Sequence, residues 1–121
     1  MNKLFKSVAT LLTAMGLVFG LTACVPEAMD MTTVTAVIDV RTPAEYAEGH
    51  LEGALNIDVQ GMDFTTEVQK LDVAGTYVVY CRSGNRSGAA IEQMKGMGFT
   101  NLTNGGAVAN AASLTGLPVV Q

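Results

Sequence analysis

With 121 residues, the chain has room for one compact domain and not for two. Eleven acidic residues outnumber seven basic ones and give a net charge of −4, which disfavours nucleic acid or an anionic membrane surface as a partner. Two cysteines and a lone histidine are too few for a disulfide framework or for a metal site built from those residue types.

The N-terminus comes first in chain order. Lys3 and Lys6 precede an uncharged apolar stretch, Ser7 to Leu21, which runs into Leu21-Thr22-Ala23-Cys24. This is the layout of a secretory signal peptide. At about 15 residues the stretch is shorter than the ~20 a membrane-spanning helix needs. Its last four residues match the bacterial lipobox, in which the cysteine becomes the first residue after cleavage and carries the lipid. Residues 1–23 are therefore expected to be a lipoprotein signal peptide, with Cys24 as the lipid attachment site. The alternatives are a soluble secreted protein cleaved nearby and an uncleaved anchor. The expected location is the cell envelope, lipid-anchored and facing the periplasm. Val25 stands where an inner-membrane retention signal often has aspartate, which points to the outer membrane. Without Lys3 and Lys6, five basic residues remain, Arg41, Lys70, Arg82, Arg86 and Lys95, against all eleven acidic ones.

Residues 24–33 read as a tether. Val34 to Val40 is rich in β-branched residues and predicts the first strand. Thr42-Pro43-Ala44-Glu45 is a helix start, with Thr42 as N-cap, Pro43 in the first turn and Glu45 completing a capping box. Gly49 ends that helix. Ala54 to Ile57 predicts a second strand. Asp63 to Leu71 predicts a helix, with Phe64, Val68 and Leu71 on one face. Tyr77-Val78-Val79-Tyr80 predicts a buried strand, and Ala89 to Lys95 a helix that ends at Gly98. Asn101-Leu102-Thr103 predicts a last short strand, followed by a turn at Gly105-Gly106 and a helical turn or two within 107–114. The domain is thus expected over 34–114, and the tail, 115–121, has no predicted place. Strands alternating with helices predict an α/β fold: a small, open, mostly parallel sheet of about four to five strands with helices on both faces.

The chemistry is concentrated in Cys81-Arg82-Ser83-Gly84-Asn85-Arg86-Ser87-Gly88. A thiol at the C-terminal tip of a strand is followed by a short loop and a helix N-terminus. Ligands of open parallel sheets bind beyond those strand ends. Inward-pointing loop amides form an anion cup, and the helix N-terminus adds positive potential. Two arginines lie in the loop itself. A thiol placed there has a depressed pKa and is a nucleophile beside a small-anion site. The competing reading of Cys81 is a buried core thiol.

Three segments of the chain resemble the rhodanese family. They are Asp39 to Tyr46 with Gly49 to Ile57, Val78 to Ser87, and Gly96 to Phe99 with Asn101-Leu102 and Asn104-Gly105-Gly106. The small size and secretion signal resemble the short single-domain periplasmic members. The resemblance implies a sulfurtransferase that takes sulfane sulfur from thiosulfate or a similar donor onto Cys81 as a persulfide. It then passes that sulfur to a thiophilic acceptor, cyanide or a thiol. It assigns Cys81 as the nucleophile and Arg82, Ser83, Gly84, Asn85, Arg86 and Ser87 as the substrate-binding cradle. It implies no cofactor, and a monomer is expected. Four residues separate Cys81 from Arg86, whereas cysteine-based phosphatases, which have a similar cradle, place five there; that position here is Ser87. Phosphatase or arsenate reductase chemistry is the weaker alternative. A persulfide carrier, or a sensing or interaction module without turnover, is the other.

Asp39 and Arg41 read as a structural ion pair or as part of the site's rim. His50 reads as a structural hydrogen-bonding residue, and no metal is expected. Met94 and Met97 read as core, and Met29, Met31 and Met62 as scattered.

Overall fold

The computed structural model describes residues 28–121; the expected signal peptide and Cys24 lie outside the described residues. Four parallel strands form the sheet: β1 (Ala36–Asp39), β3 (Leu55–Asn56), β4 (Thr76–Tyr80) and β5 (Asn101–Gly106), in the order β3-β1-β4-β5. Alternation along the two central strands sends side chains to both faces, and both faces are covered. Ile38, Val40, Tyr77 and Val79 pack with Phe64 and Val68 of α2 (Phe64–Val68) and with Ala90, Ile91 and Met94 of α3 (Asn85–Gly96). Val37, Val78 and Tyr80 pack on the other side with Ala111 of α4 (Val108–Thr115) and Tyr46 of α1 (Pro43–Glu48). The expected α/β architecture is therefore present, with an all-parallel four-stranded main sheet.

α1 starts as the sequence predicts. Thr42 caps it, Pro43 opens it, and Thr42 and Glu45 close a capping box in both directions. Gly49 follows its last residue.

The domain extends beyond 34–114 at both ends. Met29 donates its N–H to the Leu114 carbonyl at 2.8 Å, and Met29 and Met31 pack on the α4 side of the core. The last residues of the expected tether are thus part of the fold, and these methionines are not scattered. In the tail, β6 (Val119–Val120) pairs antiparallel with β2 (His50–Leu51). Each of these strands is two residues long, too short to show any periodicity. β3 and α2 are also shorter than predicted.

Asp39 and Arg41 form a buried ion pair at the end of β1, with Nη2 to Oδ2 at 2.7 Å. The same nitrogen donates to the Gly49 carbonyl at 2.6 Å, which ties β1 to the end of α1. His50 is structural: Nδ1 lies 2.8 Å from the Tyr46 carbonyl, and its ring stacks on Tyr46 at 3.6 Å.

Candidate active site

β4 delivers Cys81 to the carboxyl edge of the sheet, where its N–H donates to the Gly106 carbonyl at 2.9 Å. The residue is fully buried. The chain then turns through Arg82 and Ser83 to Gly84, the N-cap of α3, which has φ +95°. That left-handed conformation favours glycine. It aims the Gly84 N–H at Cys81 Sγ, 2.9 Å away. One turn into the helix, the buried Ser87 places its Oγ 3.4 Å from the same sulfur.

Burial alone pushes the thiol up. Hydrogen bonding from the Ser87 hydroxyl and from the backbone at Ser87, Ser83 and Gly84 outweighs it and brings Cys81 down to about 7. Fixed donors replace the water a buried thiolate has lost, so the site stabilises negative charge at Sγ.

The two loop arginines have different surroundings. Arg82 is exposed, as are Ser83 and Asn85. Arg86 grips Glu45 of α1, with Nη1 to Oε1 at 2.7 Å and Nη2 to Oε2 at 2.9 Å. The pairing with Arg86, aided by Thr42, pulls the Glu45 carboxyl down to about 2 against the opposing effect of burial. Glu45 thus links two loops. It completes the cap of α1 and neutralises a cation at the first turn of α3. Arg86, expected in the anion cradle, has its guanidinium committed to this carboxylate and braces the loop. Of the expected cradle residues, Gly84 and Ser87 make the direct contacts with Sγ, with the Ser83 backbone also hydrogen-bonding to it.

Sequence reading leaves two participants without a site role. Glu45 reads only as a capping residue, because its partner lies 41 positions away. Asn104 has no predicted role. Its Oδ1 accepts from Ser87 Oγ at 2.7 Å and from the Gly106 N–H at 2.9 Å, and its Nδ2 donates to the Gly84 carbonyl at 3.2 Å. It binds the loop from the β5 side as Glu45 does from the α1 side. The Asn-Gly-Gly run was the available signal, though it reads simply as a turn.

A separate cavity of about 320 Å³ lies by α2, lined by residues that include Ile57, Phe64, Asp58, Asp63 and Glu67. Cys81 does not line it, and its three carboxylates make it a poor seat for an anion. Among the described residues, no group of three or more His, Cys, Asp or Glu side chains is arranged to hold a metal ion.

Comparison with known proteins places this chain in a family context. The rhodanese-like domain model matches residues 23–109. Thiosulfate sulfurtransferase PspE of Escherichia coli K12 is 36% identical over 75 residues, which cover 62% of this chain and 72% of that protein. Thiosulfate sulfurtransferase GlpE of Pseudomonas entomophila is 36% identical over 67 residues, 54% of this chain and 59% of that one. Among solved structures, one described as a rhodanese with anions from E. coli superposes with a TM-score of 0.58 at 34% identity. It covers 71% of this chain and 96% of its own.

Proposed function

The chain belongs to the rhodanese-like domain family, and from that premise we propose that it is a sulfurtransferase working through a persulfide on Cys81, with thiosulfate or a similar anion as donor. The observation that carries this reading is the buried Sγ under the Gly84 N–H at 2.9 Å, with its thiol held at about 7. Such a group is substantially thiolate at neutral pH and remains nucleophilic.

In the first half-reaction the Cys81 thiolate attacks the sulfane sulfur of thiosulfate. The Sγ–S bond forms, the S–S bond of thiosulfate breaks, and sulfite leaves with the electron pair. Negative charge moves from Sγ to the outer sulfur of the persulfide. In the second half-reaction an acceptor, cyanide or a thiolate, attacks the outer sulfur. The Sγ–S bond breaks and Cys81 leaves as thiolate. Cyanide becomes thiocyanate; a thiolate becomes a persulfide. Both half-reactions place charge on sulfur at the loop, where preorganised N–H groups stabilise it. Arg82, the exposed loop cation, attracts the donor dianion, and Arg86 with Glu45 keeps the loop in shape. This commitment of Arg86 weighs against phosphate-ester chemistry, which needs its charge facing the cup.

The same reading tethers the domain to the envelope membrane through a lipid on Cys24, facing the periplasm. The acceptor there is a thiol compound.

The test is the intact mass of the purified mature protein after thiosulfate treatment. A gain of one sulfur atom, discharged by cyanide and absent in Cys81→Ser, is expected. An unchanged wild-type mass, or the same gain in Cys81→Ser, would overturn the proposal.

A further inference from the structure

Ser87 has one hydroxyl proton, and three atoms compete for it. Its Oγ lies 2.7 Å from Asn104 Oδ1, 3.1 Å from the Gly84 carbonyl oxygen and 3.4 Å from Cys81 Sγ. The Gly84 carbonyl already accepts from the Gly88 N–H at 3.0 Å and from Asn104 Nδ2 at 3.2 Å, so both its lone pairs are occupied. The competition is therefore between Asn104 and the sulfur. The Asn104 amide has one sensible orientation. Its Oδ1 also accepts from the Gly106 N–H, and a flipped amide would set its own N–H groups against that donor.

A β-bulge brings Asn104 to the loop. Val79 pairs with Asn104 but Tyr80 pairs with Gly106, which leaves Gly105 as the extra residue. Bulges re-aim side chains and recur beside active sites. A Cβ on Gly105 would lie 3.1 Å from the Cβ atoms of both Tyr80 and Ala111, so a side chain there would crowd the bulge.

We infer that Asn104 is a positioning residue for the sulfur chemistry, holding the Ser87 proton while Sγ is uncharged and yielding it when charge returns to Sγ. In the thiol, S–H donates to Ser87 Oγ and Ser87 donates to Asn104. In the thiolate, the hydroxyl turns to the sulfur and gives up the shorter bond. In the persulfide, charge sits on the outer sulfur and the hydroxyl returns to Asn104. Asn104 therefore favours thiol and persulfide over free thiolate. The persulfide part rests on the sulfurtransferase reading; the thiol part does not. Arg86 of α3 is charged and coupled to Sγ, offset by Glu45 of α1, and the exposed Arg82 follows Cys81 in the chain; the variants below leave all three in place. Tyr80 of β4 faces the opposite side of the sheet, and β5 and α4 have no ionisable side chain.

The test is the pH dependence of Cys81 alkylation by iodoacetamide in the purified protein. Ser87→Ala removes a donor and raises the Cys81 pKa by about half to one unit, the equivalent of one net hydrogen bond. Asn104→Ala removes the competitor and lowers it by a similar amount. In a Ser87→Ala background, Asn104→Ala moves it no further. A loop merely loosened by either change would raise the pKa in both. Shifts of the same sign, or none from Asn104→Ala, overturn the inference. If Asn104→Ala does not fold, Asn104→Asp keeps the acceptor, adds charge and raises the pKa; a fall or no change there overturns the inference equally. Failure of the sulfurtransferase reading shows separately, as wild-type protein that gains no sulfur from thiosulfate.

Discussion

Glu45→Gln separates the charge of Glu45 from its capping role, since glutamine also completes a capping box. Two bonds to the Arg86 guanidinium, at 2.7 and 2.9 Å, join side chains that are 19% and 23% exposed. An exposed ion pair contributes about 0–1 kcal/mol, and breaking a buried one costs about 3–5 kcal/mol. This pair is partly buried and bidentate, and glutamine retains one acceptor, so the expected loss is about 1–2 kcal/mol. For a domain of this size that lowers the melting temperature by roughly 5–15 °C. The pH dependence has a definite sign. The Glu45 carboxyl is depressed from 4.5 to about 2, so its stabilisation is fully present above the unfolded value and is lost as pH falls through the folded one. The gap between wild type and Glu45→Gln should therefore be widest near neutrality and close towards pH 2. The freed Arg86 charge should also lower the Cys81 pKa below its present value of about 7. Thermal melts between pH 2 and 7, with alkylation rates on the same samples, measure both. A Glu45→Gln protein that melts with wild type at pH 7, or a gap that stays constant into acid, would refute the reasoning.

Other outcomes follow from the same geometry. The rate of sulfur loading from thiosulfate should fall about tenfold per pH unit below about 7 and level off above it, because only the thiolate attacks; a midpoint near the ordinary thiol value of 9.0 would show that the loop does not stabilise Sγ. Arg82→Ala should raise the apparent KM for thiosulfate, with an effect that shrinks as salt screens the charge; a pure kcat effect insensitive to salt would place Arg82 in the cradle instead. Cys24→Ala should release the protein from the membrane fraction or block its processing, and wild-type protein found wholly soluble with an unmodified N-terminus would contradict lipid anchoring.

Chemistry that is local in sequence was legible. Cys81 at a strand tip, the loop from it into a helix and the Thr42–Glu45 cap all act within a few residues of one another. The alternation of strands and helices was legible too, because β1 and β4 are apolar and α1 has its start signals. What could not be read depends on pairing across distance. Arg86 reads as a residue that closes the loop and can hold its shape by hydrogen bonding, but its partner Glu45 lies 41 positions away and could not be named. Asn104 reads as a turn residue until the bulge at Gly105 turns it to Ser87. Val119–Val120 shows no pattern because two residues cannot show an alternation.

The β2–β6 ladder bears on the order in which this domain can be completed. All four main strands are present once Gly106 has been reached, so the parallel sheet can assemble from the chain up to that point. The ladder just after α1 cannot form then, because His50 and Leu51 pair with Val120 and Val119. A chain delivered N-terminus first, as during synthesis, thus places its sheet before this ladder. Closing a loop of that length costs entropy that only the final contacts repay. Until then α1 is held by Tyr46 packed on the sheet, by the Arg41 bond to the Gly49 carbonyl and by the grip of Glu45 on Arg86, so the Cys81 loop helps to retain α1 while the C-terminal strand is still arriving.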